Sequence, residues 1–199
     1  SIKFDIDEVG VPVPFRWGKC KLATASFGHG ITTTILQLAN AYSIIVNGGY
    51  EISPTLIKHK SKVKNKKILN NDVSKKINPI LRKIVTAKEG TASLANVEGY
   101  EVGGKTGTAQ TSMLGGYSNN KINTFASVFP TSKPKYVLVA MLDEPKTNSE
   151  YIYNYRDGTG IKYKGTPFNT AGWTTVEVVG QIIEKIGPIL ATKYNEVYK

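Results

Sequence analysis

The fold turns on the stretch Gly103-Gly104-Lys105-Thr106-Gly107-Thr108-Ala109-Gln110, entered through Tyr100-Glu101-Val102. Here the apolar pattern changes from the helical period to a period of two, which is the signature of a strand with two different faces. A Gly-rich loop is expected to follow, running to Asn123. Thr124 to Phe129 and Lys135 to Leu142 then read as two further strands, joined by the turn Pro130-Thr131-Ser132-Lys133-Pro134. Three consecutive strands with short connections predict an antiparallel meander.

Reading outward towards the C-terminus, residues 145–170 form a long polar stretch carrying Tyr151, Tyr153, Tyr155 and Tyr163. A connection of that length is either functional or mobile, and its tyrosines are expected to decorate a loop rather than to line a groove or a partner surface. From Thr174 to Leu190, Val176, Val179, Ile182, Ile183 and Ile186 recur at helical spacing, so a C-terminal helix should cover one face of the sheet.

Towards the N-terminus, Thr34 and Gln37 form a capping box that opens a helix through Ile35, Leu36, Leu38, Ala39, Tyr42, Ile45 and Val46, stopped by Gly48-Gly49. A second helix is expected from a Ser74 cap, or from Asn78 with Pro79 at the first helical position, through Leu81 and Val85 to Gly90. Glu51 to Ile57, interrupted by Pro54, reads as an edge strand. It feeds a ribbon from Lys58 to Lys67 with lysine at alternate positions and one solvated face. Residues 1–23, with Pro12, Pro14 and Gly18, read as an extended lead-in that does not resemble the start of a domain. The fold class is therefore α+β: an antiparallel sheet of at least three strands, a C-terminal helix over it, and a helical segment before it.

Composition narrows the function. The 199 residues are 40% hydrophobic and 21% charged, as in a soluble globular domain or part of one. No apolar run approaches the roughly 18 residues of a membrane span, so any anchor is expected outside these residues. Cys20 is the only cysteine, and His29 and His59 are the only histidines, without metal-ligand spacing; neither metal nor cofactor is expected. The net charge of +11 raises nucleic acid as a partner. Arginine, however, occurs only at Arg16, Arg82 and Arg156, and the lysine ribbon carries no interleaved aromatics, so no nucleic-acid partner is expected.

Lys105-Thr106-Gly107-Thr108, on a strand with a hairpin partner and a helix to follow, is the context of the third signature of serine acyltransferases of the penicillin-binding and β-lactamase class. Further motifs appear in order. Ser26-Phe27-Gly28-His29-Gly30-Ile31 is followed by Leu36 to Tyr42 and by Asn47-Gly48-Gly49. Gly90-Thr91-Ala92, Phe129-Pro130, Leu142-Asp143-Glu144-Pro145 and Thr170-Ala171-Gly172-Trp173 come after. Together they resemble the transpeptidase domain of class B penicillin-binding proteins, and the closing Thr170-Ala171-Gly172-Trp173 with its helix resembles the septal enzymes of Gram-negative bacteria. The resemblance spares only residues 58–73 and 146–168. Ile35 stands where the family commonly has proline.

The resemblance implies a partial transpeptidase fold in which 1–199 is the C-terminal half of one domain: 1–95 mainly helical with the basic hairpin, 96–199 carrying the Lys-Thr-Gly strand, its hairpin and the last helix. It implies that Thr106 and Thr108 hold the terminal carboxylate of a D-Ala-D-Ala stem or of a β-lactam, and that Gly107 lets the stem approach the strand edge. Lys105 would supply positive charge and a proton-relay contact, and the Thr108 N–H one oxyanion donor. The family's Ser-x-x-Lys and Ser-x-Asn signatures belong upstream of this strand. Ser61-Lys62-Val63-Lys64, Ser132-Lys133-Pro134-Lys135 and Ser118-Asn119-Asn120 match formally, but their order and setting are wrong. The nucleophile is thus expected outside these residues and the chain alone inactive. His29 reads as a turn residue rather than a base.

The leading expectation is a peptidoglycan D,D-transpeptidase of the septal wall, β-lactam sensitive, working with other division proteins at the periplasmic face of the inner membrane. The alternatives are a D,D-carboxypeptidase or β-lactamase, and a non-catalytic wall-binding or division scaffold. A partial sheet also implies exposed apolar surface and self-association.

Overall fold

The computed structural model describes residues 18–19, 21–26, 28, 31, 33–55, 65–113, 116–165 and 168–194. The readings of the lead-in over 1–17, of Cys20, His29 and Gly30, and of the lysine ribbon over 58–64 with Ser61 lie outside them.

Three strands, β1 (Gly103–Met113), β2 (Gly116–Phe129) and β3 (Tyr136–Asp143), form an antiparallel sheet in the order β1-β2-β3. The expected meander is present, but its first hairpin is longer: β2 begins at Gly116, where a loop to Asn123 was expected. Pairing continues past a register shift between Gln110 and Ser112, so the polar run Ser118-Asn119-Asn120 is carried as strand.

The sheet lies between two helical layers, and strand alternation decides which side chain meets which. Phe125 and Phe129 of β2 pack with Val176, Val179 and Ile183 of helix α4 (Thr175–Tyr194) in the main core. Val128, on the opposite face, packs with Val46 of α2 (Ile35–Val46) and Leu81 of α3 (Asn71–Thr86). Phe125, Val176, Val179 and Ile183 are fully buried, and each such side chain contributes about 1.5–3 kcal/mol by leaving water. A five-residue helix, α1 (Lys21–Ala25), precedes them in the chain.

Helix α2 starts at the predicted capping box: the Gln37 N–H donates to Thr34 Oγ1 at 3.1 Å, and the Thr34 N–H to Gln37 Oε1 at 3.0 Å. It ends where Gly48 and Gly49 take φ of 95° and 88°. Helix α3 begins earlier than expected. Its cap is Asn70, whose side chain accepts the Asp72 N–H at 3.0 Å. Ser74 lies inside the helix, buried, donating to the Ile45 carbonyl and accepting the Gly48 N–H at 2.8 Å. Pro79 is accommodated within α3, at the loss of one backbone hydrogen bond.

Two other expectations are corrected. Residues 51–55 form no strand; among the described residues this part of the chain makes one isolated bridge, Tyr50 to Lys67. The 145–170 stretch holds a small hairpin, β4 (Ile152–Asn154) with β5 (Lys162–Lys164). Its tyrosines are not loop decoration. Tyr153 is buried, its ring 4.7 Å from that of Tyr151 and 5.3 Å from that of Trp173.

Candidate active site

Because β1 is the outermost strand of its sheet, the alternate N–H and C=O groups along its outer side have no strand partner within the sheet. Thr106 and Thr108 stand opposite Phe125 and Asn123 of β2, so the two threonines share the face that α4 covers. Lys105 and Gly107, opposite Ala126 and Thr124, belong to the other face. The structure thus brings the two predicted hydroxyls together and sets the lysine apart from them. The exposed Lys105 ammonium folds back to donate to the Thr106 carbonyl at 2.7 Å.

The hydroxyls open into a groove of about 360 Å³ whose other walls are Thr91, Ser93, Tyr155, Thr170 and Trp173. Thr91 follows α3, and its Oγ1 lies 2.9 Å from Thr106 Oγ1. On the opposite wall the Ala171 N–H donates to Thr108 Oγ1 at 3.1 Å. Gly172 closes the gap between the walls, because a Cβ there would stand 2.7 Å from the Thr91 carbonyl oxygen. Trp173 is fixed by aromatic contacts with Tyr153 and with Tyr163, whose ring centroid is 5.1 Å away, and its carbonyl accepts the Tyr153 hydroxyl at 2.7 Å.

The glycines before and within the motif do different things. A Cβ on Gly104 would meet the Phe125 ring at 2.7 Å, and one on Gly103 the Arg82 nitrogen at 2.9 Å. These two are required by the fold. A Cβ on Gly107 would meet only Thr124, at 3.9 Å, so packing within the chain does not require glycine there.

Behind Tyr155 sits an ion pair that the sequence reading did not find. Arg156 grips Glu177, in the first turn of α4, through two bonds of 2.7 and 2.8 Å, and both side chains are almost fully buried. The same guanidinium donates to the Leu94 carbonyl and to Glu184, each at 2.9 Å. Tyr151 and Gln181 also donate to Glu177. Burial alone would raise the Glu177 carboxyl, but the bonds from Arg156 and Gln181 outweigh it and hold the group below its ordinary value. Hydrogen bonding to Glu177 in turn raises Arg156. The network ties the β4–β5 hairpin to α4 and to the turn Ser93–Ala95, so it braces the groove from outside.

Among the described residues the groove offers hydroxyls and backbone amides but no base. Ser93 lines it, yet no lysine, histidine or carboxylate does, and a serine needs such a partner to become a nucleophile. Ser132 lies in the turn after β2, its N–H donating to Glu101, and Ser118 lies on β2, its Oγ accepting the Asn120 N–H. Neither lines the groove. No described helix is long and apolar enough to cross a membrane.

Sequence comparison agrees with this architecture. The family described as penicillin binding protein transpeptidase domain matches residues 1–159. A probable peptidoglycan D,D-transpeptidase FtsI from Caulobacter vibrioides is 30% identical over 203 residues, covering 96% of this chain and 32% of the relative. Stage V sporulation protein D from Bacillus subtilis is 36% identical over 149 residues, covering 68% and 23%. The transpeptidase domain of penicillin-binding protein 3 from Burkholderia pseudomallei superposes with a TM-score of 0.68 at 24% identity, covering 87% of this chain and 47% of that one. Penicillin-binding protein 3 from Mycobacterium tuberculosis, solved with ampicillin, gives 0.66 at 25% identity, over 86% and 39%. The chain spans about a third or less of the length of these curated relatives. With the family matched across α1, α2, α3, the Lys-Thr-Gly strand and its meander, the chain belongs to the penicillin-binding protein transpeptidase domain family.

Proposed function

We propose that the protein carrying this chain is a peptidoglycan D,D-transpeptidase of septal wall synthesis, and that the chain forms the C-terminal half of its transpeptidase domain, with 1–95 and 96–199 as its two parts. The observation that carries the reading is the meeting of the Thr106 and Thr108 hydroxyls in one groove beside the outermost strand. Two hydroxyl donors side by side fit a carboxylate, and an outer strand edge fits an extended stem peptide.

A D-Ala-D-Ala stem lies along β1 with its terminal carboxylate at Thr106 and Thr108, and Gly107 gives it room. A serine from outside these residues attacks the penultimate carbonyl. The oxyanion that forms is met by the Thr108 N–H; its collapse breaks the D-Ala–D-Ala amide, the terminal D-Ala leaves as an amine that takes up the proton lost by the serine, and the shortened stem stays on the serine as an ester. An amine from a second stem then displaces the serine, regenerating its hydroxyl and forming the cross-link. Lys105, on the other face of β1, contributes positive charge beside the strand edge, and its proton contact is with groups supplied from outside these residues. A β-lactam enters by the same carboxylate grip and stops at the ester. The reading places the domain at the periplasmic face of the inner membrane, anchored by chain beyond these residues and working with division partners.

A labelled penicillin tests it: the intact domain is acylated stoichiometrically and this chain alone is not. Acylation of this chain would show that the nucleophile lies within it. Incubating the intact protein with stem peptides separates cross-linked product from merely trimmed stems, and trimming alone would replace the transpeptidase by a carboxypeptidase.

A further inference from the structure

The segment 169–174, which supplies Thr170, Gly172 and Trp173 to the groove and the Ala171 N–H to Thr108, is fastened to β2 at both ends by one side chain. Asn123, fully buried and directly opposite Thr108, donates from Nδ2 to the Asn169 carbonyl at 3.0 Å and to Thr174 Oγ1 at 2.8 Å. Thr174 spends its own proton on the Thr170 carbonyl at 2.9 Å, so its oxygen can only accept from Asn123. Both partners are acceptors, and the orientation of the amide is therefore forced. Lys121 adds a bond of 2.8 Å to Asn169 Oδ1.

The other end of the amide is informative. Asn123 Oδ1 is buried and has no hydrogen-bond partner among the described residues. An apolar side chain of the same size would fill this space without stranding an oxygen, so packing does not explain an amide here. What the amide adds is its two donor bonds. Between their acceptors stands Ala171, whose N–H occupies one lone pair of the Thr108 hydroxyl and leaves the hydroxyl proton to donate.

We propose that Asn123 is a positioning residue: by clamping both ends of segment 169–174 it aims the Ala171 N–H at Thr108 Oγ1, and so keeps the Thr108 hydroxyl a proton donor towards a carboxylate in the groove. The inference rests on the carboxylate-binding role proposed for Thr108, and the test separates the two.

The probes are N-acetyl-D-alanyl-D-alanine and its C-terminal carboxamide, titrated by NMR against this chain and its Asn123→Leu, Thr108→Val and doubly substituted variants. Asn123→Leu weakens the acid about tenfold, leaves the carboxamide unchanged and speeds hydrogen exchange at Ala171 about tenfold, and it adds nothing once Thr108 is valine. Loss of acid binding in Thr108→Val but not in Asn123→Leu overturns the positioning role and leaves the groove reading intact. Unchanged binding by Thr108→Val overturns both. Equal weakening of acid and carboxamide by Asn123→Leu would mark a purely structural residue and also overturn the proposal. Where Asn123→Leu fails to fold, Asn123→Ala is read in the same way. In the unmodified protein the Ala171 N–H resonance must move as the acid saturates, since a carboxylate drawing on the Thr108 proton polarises the bond behind it; a stationary resonance also overturns the inference.

Discussion

Thr91 and Thr106, fifteen residues apart, place their hydroxyl oxygens 2.9 Å from each other across the mouth of the groove. When Thr91 donates in this contact, the Thr106 proton is left for a ligand, so the loop after α3 has a hand in the chemistry of the strand. Thr91→Val in the intact domain is expected to slow β-lactam acylation by about threefold to tenfold, the worth of one neutral hydrogen bond, with the melting temperature nearly unchanged. The second-order acylation rate checks it.

The two kinds of glycine in the motif separate by stability. Gly104→Ala drives a methyl against the Phe125 ring and the Ala126 carbonyl, and is expected to cost about 1–3 kcal/mol. Gly107→Ala meets nothing nearer than 3.9 Å, so its effect on stability is expected within about 0.5 kcal/mol, while stem binding falls. Urea titration of both variants, beside stem titration of the second, makes the comparison.

Breaking the buried ion pair is expected to be far more costly. Glu177→Gln leaves the Arg156 charge short of its main partner and should destabilise by about 3 kcal/mol. The pH dependence has a definite sign. Glu177 has a folded-state pKa below the ordinary 4.5, so the unfolded chain binds more protons in that range. The stability it confers is complete above that ordinary value and is lost as pH falls through the lower folded value. Denaturation midpoints followed from neutral pH downward should therefore drop more steeply below pH 4.5 for the natural protein than for Glu177→Gln.

The start of α3 can be tested against the reading that placed it at Ser74. Asn70→Ala removes the cap and should cost about 1 kcal/mol. Ser74→Ala should cost at least as much, about 1–3 kcal/mol, since it strands the buried Gly48 N–H and Ile45 carbonyl. Thermal melts of the two variants settle the order.

What sequence could reveal follows the range of the interactions. The capping box of α2 and the period-two runs of the meander are local, and each was readable from neighbouring residues. Ser74 misled because serine is a good cap by type, whereas its hydroxyl is used by α2 across the fold. Ser118 to Asn120 have poor strand propensity and are carried in β2 because the pairs on either side of them, Gln110 with Lys121 and Ser112 with Tyr117, hold the chain extended. The hairpin of β4 and β5 is too short for periodicity to register, and the burial of Tyr153 depends on Trp173, which no spacing rule connects to it. At the site, Thr106 and Thr108 were legible through their motif. Thr91, Tyr155 and the Ala171 N–H were not, because only tertiary structure brings them to the groove; the one available hint was that Gly90-Thr91-Ala92 and Thr170-Ala171-Gly172-Trp173 stood out as motifs.

Gly103 and Gly104 finally bear on fidelity as well as fit. One abuts α3 and the other the Phe125 ring, with no space beyond a hydrogen atom at either place. Sliding β1 along β2 by a single residue would turn its two sides over: one direction drives the lysine stem into the Gly104 gap, which rejects even a methyl, and the other puts the ammonium in the place of the Thr106 hydroxyl and drives Val102 into the gap of Gly103. Two absent side chains thus act as a ratchet, and the strand can present its polar groups in only one order.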